Sequence, residues 1–69
     1  MGQRLPAYFD YHAVARECRL GPEQMEALEA VERAEFPEDQ MMFELHMLRI
    51  LEQIRAGRTK LEDVLPTPR

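Results

Sequence analysis

The residues able to do chemistry are few: one cysteine, two histidines and 13 acidic side chains in a chain of 69 residues. Cys18 falls on an apolar stripe with Tyr11, Val14 and Ala15. A free cysteine there packs as a small hydrophobe, because a reactive thiol needs exposure and positive neighbours. His12 stands six residues before Cys18, about 120° away around a helix, so the two cannot share a metal unaided. His46 shares a polar edge with Met42, Arg49 and Gln53 and reads as solvated. Inward glutamates joined to Glu-x-x-His hold metals in helical bundles. Here the nearest match is Glu44-Leu45-His46, whose spacing is wrong. Serine is absent, and the two threonines are Thr59, suited to capping a helix, and Thr67 near the end. There is no glycine-rich phosphate loop. No catalytic, cofactor or metal residue is therefore expected, and the chain reads as non-enzymatic.

These side chains must be positioned by helices, since no strand pattern or repeat is present. The fold expected is all-α: a small bundle of three helices and a short C-terminal fourth, forming a single domain over 1–69. Residues 1–9 read as an N-terminal arm whose Leu5, Tyr8 and Phe9 are apolar enough to pack. The first helix occupies 10–20, with Asp10 as its cap. Gly21 and Pro22 end it and open the second, 22–35. Met25, Leu28 and Val31 give the second helix an inner face, with Ala27 and Ala34 allowing close approach. Glu23, Glu26, Glu29 and Glu32 give it an acidic outer face suited to a basic partner. Glu29 and Arg33 are spaced as a helical ion pair. After Phe36, the third helix spans 37–56, with Pro37 in its first turn and Gly57 as a left-handed cap. Thr59 and Glu62 fit a capping box that opens the fourth helix, 60–65, before the tail 66–69.

The third helix organises the rest. Phe43, Met47, Ile50 and Ile54 make one core stripe. Met41, Glu44, Leu48, Leu51 and Arg55 make a second beside it, widened by Leu45. Either both are filled within the chain, or the second meets another chain. A chain this short buries only a modest share of its surface and needs a staple. One cysteine allows no internal disulfide, so self-association is the staple expected. Two antiparallel third helices would set Glu44 against Arg55 of a second copy, with Leu48 and Leu51 meeting across the axis. The interface residues are then Met41, Glu44, Leu45, Leu48, Leu51 and Arg55, and the partner a second copy or another protein with a basic or apolar surface.

Val14–Leu28, VARECRLGPEQMEAL, resembles a helix-turn-helix segment, with Val14, Ala15, Cys18, Leu20, Met25 and Leu28 at its small or apolar places and Arg19 where glycine is commonest. The resemblance implies a small transcription regulator whose second helix enters the major groove. That helix is acidic, and phosphates would repel it. The formal charge of −4 likewise argues against nucleic acid or anionic membrane as the main partner. A third reading is a carboxylate metal site assembled between subunits. No apolar run approaches the roughly 18 residues of a membrane span. Signal-peptide features are absent, and Pro6 breaks the myristoylation pattern. A cytoplasmic protein is expected.

Overall fold

A computed structural model describes residues 8–65. Most of the expected arm, including Leu5, and the tail 66–69 lie outside the described residues. The fold is all-α: α1 (Tyr11–Cys18), α2 (Pro22–Glu35), α3 (Gln40–Arg55) and a short α4 (Leu61–Val64). Both α1 and α2 pack chiefly on α3 rather than on each other. The core is built from Tyr11, Ala15, Leu28, Phe43, Met47, Leu51 and Leu61, with Val14, Cys18, Met25, Ile50 and Ile54 packed around it.

The helix ends follow from local chemistry. The Asp10 carboxylate accepts from the His12 N–H and starts α1, as expected. The chain leaves α1 through Arg19 in the left-handed region, at φ 61°. This is the position where the helix-turn-helix pattern favours glycine. Pro22 opens α2, and the Gln24 side chain reaches back to the Gly21 N–H at 2.8 Å. At the end of α3, Gly57 adopts φ 80°. Its N–H donates to the Ile54 carbonyl and that of Arg58 to the Gln53 carbonyl, closing the paired bonds of a left-handed cap.

Several boundaries differ from expectation, the first being the end of α1 at Cys18 rather than 20, where Arg19 leaves the helix in the left-handed region. Helix α3 starts at Gln40, not in the turn holding Pro37, because Asp39 caps it by accepting from the Met42 N–H at 3.1 Å. Helix α4 is capped at Lys60 without a side-chain bond, so the Thr59–Glu62 capping box does not form. Ala27 and Ala34 are exposed and mediate no close approach.

The two left-handed residues give opposite expectations. Arg19→Gly should raise the unfolding free energy by roughly 0.5–1 kcal/mol, because glycine carries no Cβ penalty there. Gly57→Ala should lower it by about 1 kcal/mol for the converse reason. Urea unfolding followed by circular dichroism measures both. A loss on Arg19→Gly would show that the first turn is not left-handed in solution.

Candidate functional site

Two glutamates lie where a sequence reading puts apolar residues. Glu44 is 0% exposed. Its Oε1 accepts from the backbone N–H groups of Tyr8 at 2.6 Å and Phe9 at 2.9 Å. Its Oε2 accepts from the Gln40 side-chain amide one turn earlier. Gln40 in turn accepts from Arg33 Nη2 at 2.7 Å. Arg33 also donates to the Phe36 carbonyl, and its guanidinium lies 3.8 Å over the Phe43 ring. The positive charge of α2 thus reaches the buried carboxylate of α3 through one amide.

This placement corrects the expected self-association seam. Glu44 and Leu51 are filled from within the chain, each at 0% exposure, and are not open to a second copy. Arg55 bonds Glu17 of α1 at 2.6 Å instead of a partner's Glu44. The reason is angular. Glu44 is three residues before Met47 and Leu51 four after it, both within about 60° of it around the helix. The two stripes are one broad face. Of the other seam residues, Met41 is exposed and Leu45 and Leu48 are half-buried.

The acidic face of α2 is likewise divided. Glu23 and Glu26 are exposed. Glu29 accepts from the Tyr11 hydroxyl at 2.8 Å, and Arg33 turns to Gln40 and Phe43, so the expected Glu29–Arg33 pair is not formed. Glu32 is buried at 4% exposure. Residues three apart drift by about 60° per step, so a run of such glutamates cannot stay on one face. Glu32 lies four residues after Leu28 and seven after Met25, on the inner stripe.

Glu32 has company. One donor atom each from Glu32, Glu35 and His46 lie within 4.8 Å of one another. His46 is not on a solvated edge: it is half-buried, with its ring 4.6 Å from that of Phe36. Glu32 Oε1 is buried with no hydrogen-bond partner. Burial raises the Glu32 pKa above the ordinary carboxylate value, Glu35 adds to the rise and His46 opposes it.

The same corner of the fold carries an open groove of about 680 Å³, lined by Tyr8 and by residues 35–41. Tyr8, at 59%, and Met41, at 46%, are the exposed large apolar side chains among the described residues, and both line it. Glu35, Glu38 and Asp39 supply its carboxylates.

Cys18 behaves as its stripe implies. Its thiol donates to the Leu51 carbonyl at 3.3 Å, and burial raises its pKa, so it is held as a neutral packing group. The expectation put Tyr11 on a buried stripe and Arg33 beside Glu29, but missed the bonds that these two and Gln40 make with partners remote in sequence or across a turn. Tyr11 meets the Phe43 ring edge-on at 6.0 Å. Its pKa is raised above 10.0, first by burial and then by the bond to Glu29.

Glu44→Gln should lower the unfolding free energy by about 1–3 kcal/mol, because an amide satisfies fewer of these donors. Amide exchange at Tyr8 and Phe9 should quicken with it. Unchanged exchange at both would remove Glu44 as their anchor. Tyr11 adds an alkaline signature. The folded phenol keeps its proton more tightly than the unfolded one, so the stability it gives is intact below pH of about 10 and is lost as pH climbs toward the folded value. In a Tyr8→Phe background, phenolate absorbance should appear above the ordinary tyrosine range, and Glu29→Gln should bring it partway back. An ordinary titration would mean the Tyr11–Glu29 bond is not kept. Compared with protein-family models, with curated proteins and with solved structures, the chain matches none.

Proposed function

We propose that this chain is a non-enzymatic helical interaction module. Its contact surface is the groove between Tyr8 and Met41, with half-buried Leu45 one turn further along α3. One observation carries the reading: the exposed large apolar side chains among the described residues converge on one groove, with carboxylates around them. An apolar floor beside Glu35, Glu38 and Asp39 suits a partner segment that pairs one apolar side chain with flanking lysine or arginine. Self-association is retained only along this surface, since Glu44, Leu51 and Arg55 are engaged within the chain. The helix-turn-helix alternative has less support, because α2 turns Glu23 and Glu26 to solvent.

The test titrates an amphipathic Lys/Leu peptide into isotope-labelled protein. Amide shifts should concentrate at Tyr8, residues 35–41 and Leu45. Met41→Lys should weaken binding by at least about tenfold, the size of one lost apolar anchor. Raised salt should weaken it too. Sedimentation equilibrium on the same samples separates the partner classes. A dimer dissociated by Met41→Lys would make the partner a second copy. Shifts scattered over the surface, with Met41→Lys neutral in both assays, would overturn the reading.

A further inference from the structure

The cluster of Glu32, Glu35 and His46 holds a feature that the interaction reading leaves unused. Glu32 is 4% exposed, and its Oε1 has no hydrogen-bond partner. Buried carboxylate oxygens are normally satisfied, and an orphan calls for a reason. Glu44, the other buried glutamate of this fold, shows what satisfaction looks like: two backbone N–H groups and an amide. Around Glu32 the neighbours are instead another carboxylate and an imidazole, with donor atoms mutually within 4.8 Å. Glu35 cannot donate a hydrogen bond when ionised, and it repels a charged Glu32. What would satisfy all three groups together is a cation.

We propose that Glu32, Glu35 and His46 form a binding site for one divalent first-row transition ion. The chemistry of the donors selects the class. Imidazole with carboxylates suits zinc, manganese, iron or cobalt, whereas magnesium and calcium take oxygen ligands. Donor atoms around such an ion stand about 3–4 Å apart for bonds near 2.1 Å, so small side-chain rotations bring the three into range. Two carboxylates match the charge of the ion and turn the repulsion between Glu32 and Glu35 into shared attraction. The placement is also suitable. Glu32 and Glu35 are one turn apart on α2, His46 comes across from α3, and the exposed Glu35 gives solvent access. Three protein ligands leave further coordination positions to water.

The ion would bind the folded chain and not the unfolded one, so it must stabilise the fold. The experiment follows thermal unfolding of the full chain, purified with chelator and then dialysed free of it, with Zn²⁺ or Mg²⁺ added. Zn²⁺ at a hundredfold excess over its dissociation constant should raise the midpoint by roughly 10–20 °C, and Mg²⁺ should not. Calorimetric titration should give one Zn²⁺ per chain. Glu35→Gln and His46→Gln, at exposed and half-buried positions, should each weaken Zn²⁺ at least tenfold, while His12→Gln and Cys18→Ala should not. Glu32→Gln separates this site from a buried acid with no ligand. It should raise the midpoint of the metal-free protein, by removing an unpaired buried carboxylate, and abolish the response to Zn²⁺. No response of the unsubstituted protein to Zn²⁺ would overturn the site. So would a response that survives Glu32→Gln and His46→Gln.

Discussion

A carboxylate in the middle of a helical core is costly unless its oxygens are matched, and Glu44, whose oxygens are matched, sets that condition for this fold. It shares the inner face of α3 with Phe43, Met47 and Leu51. A core residue of that chemistry left unmatched would cost several kcal/mol. The match comes from the backbone just before α1, 35 and 36 residues away, and from Gln40 one turn back. The requirement therefore fixes more than one side chain. It pins the chain at Tyr8 and Phe9 onto α3, and in doing so stands the Tyr8 ring at the wall of the groove. It also orients Gln40, which holds Arg33 over Phe43 and ties α2 to the same point. The Tyr8 wall of the groove stands where it does because Glu44 holds the backbone there.

Much of the fold could be read from local signals. Asp10, Pro22 and Gly57 mark helix ends through interactions spanning a few residues, and each does so here. Pro37 and Thr59 misled for the same reason that made them attractive. Each suits a helix start, but Asp39 has the carboxylate that reaches the Met42 N–H, and the last helix begins only after Lys60, with no side-chain cap. The site was less legible. Charged residues are normally placed outward because burying a charge is costly, and that rule sent Glu32 to an acidic outer face and Glu44 to a seam facing a second copy. Periodicity said otherwise for Glu32, which continues the Met25 and Leu28 stripe. For Glu44 the angle to Met47 already pointed inward, but the backbone N–H groups of Tyr8 and Phe9 that make its burial tolerable are distant in sequence.

The two proposals meet at Glu35. It lines the groove with Glu38 and Asp39, and it is the exposed member of the cluster with Glu32 and His46. A basic side chain docked in the groove would draw on its negative charge, and so would an ion held against Glu32. One carboxylate cannot serve both fully. Occupation of the cluster leaves the groove with two uncompensated carboxylates, which weakens its attraction for a basic partner. By linkage the same free energy must appear in reverse, with the partner weakening the ion. The coupling needs no movement of the helices, because the charge itself is the shared element. It would be strongest at low ionic strength for the exposed partner contact and least screened at buried Glu32. If both proposals hold, a small fold with few chemical groups would gain a means of regulation from placing one glutamate at the boundary of two surfaces.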